Sequence, residues 1–154
     1  METSQILALK GTELGHSEWF LIDQQRVTDF ADVTIDHQFI HVDEAAAAAG
    51  PFGGTIAHGF LTLSLLVHLT SELAPPLDNL VMGINYGFDR IRFMNPVRAG
   101  SRIRARSKLV EMKERQQSQI LTKTRVTVEI EGEDKPALTA DWLGMTVVQP
   151  PEGD

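Results

Sequence analysis

The run AHGFLTLSLLVHLTSEL, from Ala57 to about Leu73, is apolar nearly all the way round. A helix of that kind has no polar face to turn to water, so other elements must enclose it. Pro75 and Pro76 end it, since proline lacks the amide that continues a helix and clashes with the preceding turn. The rest of the chain has to supply a cover.

That cover is written in the second half. Ile120, Thr122, Thr124, Val126, Val128 and Ile130 alternate with Lys123, Arg125, Thr127 and Glu129, the two-residue period of a strand buried on one face. Leu80 to Phe93, Ser101 to Glu111 and Leu138 to Val148 read as further strands, with Gly132-Glu133-Asp134 as a turn before the last. Consecutive strands without helices between them form an antiparallel sheet. Curled around a long central helix, such a sheet covers its apolar circumference, which gives an α+β chain of the hotdog arrangement. An open sheet with helices on one face would use the same elements. Ahead of the helix, Asp23 caps a segment in which Val27, Phe30 and Ala31 fall at helical spacing, after a strand-like HSEWFLI. Asp43 caps a short helix over Ala45 to Ala49, stopped by Gly50 and Pro51.

No linker-like stretch divides the 154 residues, so residues 1–148 read as one domain and 149–154 as a flexible C-terminal tail. With 42% apolar residues a core needs no staples. The absence of cysteine excludes disulfides, thiolate ligands and a cysteine nucleophile. A net charge of -7 argues against general nucleic-acid binding, which needs a dominant basic surface. Phe60 to Leu69 is interrupted by Thr62, Ser64 and His68 and is too short for the ~30 Å hydrocarbon layer, so no membrane span is expected. The first residues lack a basic region followed by an apolar run, and a cytoplasmic location is the expectation.

The segment from Asp36 to Asp43, DHQFIHVD, sets two histidines and two acids in eight positions. One reading is a polar connection between helices. A second is a metal site, because His37 and His41 would share a helix face, with His58 recruited as a third ligand; no recognised ligand spacing accompanies it, and the expectation is no metal. A third is acid-base catalysis by Asp36 and His41, a carboxylate and an imidazole holding one water. Five residues apart on a helix these two differ by ~140°, so they converge only if the segment bends. His58, His68 and His16 read as structural, and Ser64 as facing inward. No GxSxG is present for a serine triad.

The stretch IDHQFIHVD, followed by TIAHGFLTLSLL, resembles the signature of MaoC-like enoyl-CoA hydratases, a GDxNPxHxD motif and a later AHGMLxxSL-like helix start. The likeness extends from FAD near residue 30 to NYGFDRIRFMNPVRAGSRI, and the NodN-like branch is the most similar. The resemblance implies that Asp36 and His41 are the catalytic pair of an (R)-specific enoyl-CoA hydratase or 3-hydroxyacyl-thioester dehydratase. Coenzyme A would enter as part of the substrate with no other cofactor, and the assembly would be a homodimer. Ile35, Gln38 and Phe39 stand where the family has glycine, asparagine and proline, so the bend would depend on packing of Phe39 and Ile40. A developing oxyanion would need a donor, and the backbone N–H of Gly59 is the candidate; close packing of helix on sheet would equally require glycine there. Seven of the fourteen Lys and Arg residues fall between 90 and 108. Arg102, Arg104, Arg106 and Lys108 share a strand face, which reads as a solvated surface; alternatively Arg90, Arg92, Arg102 and Arg104 receive the phosphates of coenzyme A. A hotdog thioesterase and a non-catalytic acyl-thioester-binding protein are the rival functions.

Overall fold

The computed structural model describes residues 3–116 and 118–150. In chain order the elements are α1 (Thr3–Leu7), β1 (Glu13–His16), β2 (Phe20–Leu21), α2 (Gln24–Thr34), α3 (Phe39–Val42), α4 (Glu44–Ala48), α5 (Gly59–Ser64), α6 (Leu66–Thr70), β3 (Leu80–Phe93), β4 (Arg102–Gln116), β5 (Gln119–Ile130) and β6 (Leu138–Val148). The sheet runs β1-β4-β5-β6-β3, all pairs antiparallel, with β2 also on β4. This is the hotdog fold. The four long strands lie where alternation placed them.

Alternation also explains which face is covered. Ile103, Ala105, Leu109, Val126, Val128, Leu138 and Ala140 are buried, and most of them pack with Leu61, Leu66 and Leu69 of the central segment and with Ile22 and Val27. Arg102, Arg104, Arg106 and Lys108 point the other way. Two expected caps are in place: the Asp23 carboxylate accepts from the Arg26 amide at 2.9 Å, and that of Asp43 from the Ala46 amide at 2.9 Å. Each satisfies an amide that the first helical turn leaves unpaired.

The central helix differs from the sequence expectation. It comes in two short pieces with Leu65 between them, although the Leu65 and Leu69 amides still bond the carbonyls four residues back. Nor is it enclosed all round. Phe60 is 68% and Val67 55% exposed, while Ser64, expected to face inward, is exposed with its hydroxyl donating to the Phe60 carbonyl. The neighbouring edge strand β3 is exposed over nearly its whole length, including Leu80, Val81, Met82, Ile84, Tyr86 and Phe88. The Phe60 and Phe93 rings meet edge to face at 6.0 Å, joining the two surfaces into one apolar patch. Within the expected tail, Gln149 is tied to Asn79 by two hydrogen bonds; residues 151–154 lie outside the described residues.

Candidate functional site

The site begins where α2 stops. Ile35 adopts a left-handed conformation (φ 60°, ψ 32°), and its amide and that of Asp36 both close on the Ala31 carbonyl. The chain reverses there and enters the four-residue α3, which carries His41. This left-handed residue supplies the bend, at the position where the family pattern has glycine. Packing of Phe39 does not: it is 46% exposed. A β-branched residue is disfavoured in this region, at a cost of roughly 1–2 kcal/mol. Glycine's greater freedom in the unfolded chain offsets about 0.5–1 kcal/mol of that. Ile35→Gly is therefore expected to stabilise the protein by about 0.5–1 kcal/mol, read as a higher urea midpoint; a lower midpoint would show that the left-handed turn carries no strain.

His41 is buried and its Nδ1–H donates to the Ile56 carbonyl at 2.7 Å. In the neutral ring that leaves Nε2 with a free lone pair. His58 lies face to face with it, ring centroids 3.7 Å apart and planes 22° from parallel, and Phe30 packs against His58 at 4.9 Å. The Nε2–H of His58 donates to the backbone carbonyl of Asp36 at 3.0 Å. One oxygen of Asp36 and one ring nitrogen from each of His41 and His58 all lie within 4.8 Å of one another. Burial lowers the pKa of His41; the Ile56 hydrogen bond opposes, neighbouring His58 lowers it further, and Asp36 raises it. The net direction keeps the imidazole neutral and able to accept a proton.

The structure thus brings Asp36 and His41 together and adds His58, which sequence reasoning set aside as structural. Its position directly before Gly59, at the start of the helix, was the available signal. His37 does not join: it is exposed and pairs with Asp32 at 2.8 Å, so the face shared by His37 and His41 in the metal reading does not exist. Among the described residues, Asp36, His41 and His58 form a group of acidic and imidazole side chains close enough to meet a single ion. Gly59 opens α5, where amides have no intrahelical acceptor, and a Cβ built on it would stand 3.0 Å from the Phe93 ring. The close packing of helix on sheet that requires glycine is therefore present.

The arginine reading fares differently. Arg102 pairs with Glu131 through two hydrogen bonds, and Arg104 pairs with Glu129 at 2.7 Å while lying over the Trp19 ring. Arg106 and Lys108 also face acids, Glu129 and Glu13. Arg90 and Arg92 stand opposite Asp141 and Thr139, which alternate with core residues Leu138 and Ala140 and so point outward. All four arginines proposed for phosphate contact therefore occupy the outer face of the sheet, and the structure does not gather them at Asp36 and His41. Alongside α6, a largely apolar cavity of about 300 Å³ is lined by Val67, Thr70, Leu109, Met112, Trp142 and Met145 among others.

Comparison with known proteins places this site in context. The profile of the MaoC like domain matches residues 6–130. Nodulation protein N of Rhizobium meliloti (strain 1021) is 53% identical over 148 residues, covering 96% of this chain and 92% of that protein. The 3-hydroxyacyl-thioester dehydratase Z of Mycobacterium tuberculosis (strain ATCC 25618 / H37Rv) is 45% identical over 140 residues, covering 91% and 92%. Among solved structures, the (R)-hydratase from A. caviae involved in PHA biosynthesis superposes with a TM-score of 0.67 at 24% identity, covering 88% of this chain and 94% of that one, a likeness of fold. Profile, relatives and fold agree, and the chain belongs to the MaoC-like dehydratase domain family.

Proposed function

We propose that the protein interconverts trans-2-enoyl-CoA and (R)-3-hydroxyacyl-CoA, with Asp36 and His41 as the acid-base pair. The observation that carries this reading is the convergence of the Asp36 carboxylate and the His41 imidazole, an oxygen of one and a ring nitrogen of the other within 4.8 Å. One water at hydrogen-bond distance bridges such a gap, giving a proton to each acceptor and turning its oxygen toward a third point. In hydration that oxygen attacks the β-carbon, an O–H bond breaks as the C–O bond forms, its proton passes to the Asp36–His41 pair, and the pair returns a proton to the α-carbon. Dehydration reverses each step. The charge that builds on the thioester oxygen is met by the Gly59 amide, a donor of a kind worth about 10²- to 10³-fold. The name of the M. tuberculosis relative supports the reaction class, and the apolar cavity beside α6 suits an acyl chain.

Coenzyme A arrives with the substrate and no other cofactor takes part in this reading, nor does nucleic acid. Among the described residues no helix is long and apolar enough to cross a membrane, and we place the protein in the cytoplasm. The apolar face formed by β3, Phe60 and Val67 is the surface on which a second copy would dock. Ile84→Asp is expected to convert a homodimer to monomer in sedimentation velocity; a wild-type monomer would refute the pairing.

Hydration and the thioesterase alternative separate by product. Crotonyl-CoA is expected to lose its conjugated enoyl absorbance with no free thiol, whereas thiol release would establish hydrolysis. Because activity requires His41 neutral, and its pKa lies below the ordinary ~6.5, the acid limb of kcat/KM is expected below pH ~6.5. A limb above that value would place another group in control.

A further inference from the structure

Something outside α3 must orient His41. The helix has four residues, its N-cap Gln38 makes no side-chain hydrogen bond, and its last carbonyls have no partner within it. Gln24, in the first turn of α2, reaches it from the side. Its amide nitrogen donates to the His41 carbonyl at 2.8 Å and to the Thr28 hydroxyl at 3.3 Å, and its amide oxygen accepts from the Thr55 hydroxyl. Thr55 is buried and precedes Ile56. The Ile56 amide donates to the Ile40 carbonyl at 2.9 Å, while the Ile56 carbonyl takes the Nδ1–H of His41.

These contacts close a ring: Gln24 to the His41 carbonyl, the His41 imidazole to Ile56, along the chain to Thr55, and back to Gln24. It needs a side chain that donates at one atom and accepts at the other, which an amide does and a carboxylate does not. We propose that Gln24 is a positioning residue for His41, holding α3 so that its imidazole keeps Nδ1 on Ile56 and turns Nε2 toward the water shared with Asp36. The ring takes the part of the local proline that Phe39 replaces in the family pattern, and it spans three separate segments, 24, 40–41 and 55–56. Its kinetic consequence rests on the hydratase reading; its structural consequence does not.

The test uses the full chain carrying Gln24→Met and Gln24→Glu. Groups that orient a functional side chain without touching substrate are worth about 10- to 100-fold. Both variants are therefore expected to lose about 10- to 100-fold in kcat on crotonyl-CoA with KM held within about two-fold. In ¹⁵N spectra at neutral pH, His41 is expected to pass from a single Nδ1-protonated tautomer to a mixture. Thr55→Ala should reproduce the loss and Thr55→Ser restore it, a comparison that decides the matter should the Gln24 variants not fold. Wild-type kcat together with an unchanged His41 tautomer in Gln24→Met, or equal activity of Thr55→Ala and Thr55→Ser, overturns the proposal. If the wild type itself turns over no enoyl thioester, the hydratase reading fails, and the tautomer measurement alone decides the role of Gln24.

Discussion

Asp36→Asn is expected to lower kcat for hydration of crotonyl-CoA by about 10²- to 10⁴-fold, the usual weight of a positioned acid or base. Its stability should stay within about 0.5 kcal/mol of wild type. Asp36 is exposed, and among the described residues its carboxylate has a long hydrogen bond from the Gln38 amide, at 3.4 Å. Asparagine keeps the shape and can still accept that amide, but it cannot take a proton from water. Steady-state kinetics beside urea denaturation checks both halves. A variant with full turnover would remove Asp36 from the chemistry.

His41→Ala is expected to lose turnover on the same scale and, unlike Asp36→Asn, to lose stability as well. The Ile56 carbonyl gives up its donor and the stacked face of His58 is uncovered. A buried acceptor left without a partner costs about 1–3 kcal/mol. Two members of one catalytic pair thus differ in their effect on stability, because one is exposed and the other is part of the frame. Should His41→Ala lose stability and keep its kcat, His41 would be a structural residue and Asp36 would act alone.

The four long strands and both aspartate caps were legible in the sequence because each rests on local periodicity or a single hydrogen bond within a turn. Asp36 and His41 were legible through their motif. Their geometry was not, since the left-handed Ile35 contradicts what its side chain prefers and the ring through Gln24 joins positions far apart in the chain. His58, read as structural, does pack and hydrogen-bond within the core; its place directly before Gly59 was a signal that it borders the site, but not that it stacks on His41 and holds the Asp36 carbonyl. The central helix misled for a different reason. An apolar circumference tells that a helix must be covered, but Phe60 and Val67 are exposed, so the cover that this chain supplies is incomplete. The strand period placed Arg102, Arg104, Arg106 and Lys108 on one face correctly; only the structure showed Glu13, Glu129 and Glu131 already there.

The most direct measurement is the configuration of the product that the wild-type protein forms from crotonyl-CoA, resolved by chiral chromatography after the thioester is cleaved chemically. The expected product is (R)-3-hydroxybutyrate, formed without free thiol before cleavage and about 10²- to 10⁴-fold more slowly by Asp36→Asn. The (S) enantiomer, free coenzyme A during the reaction, or no product at all would contradict it.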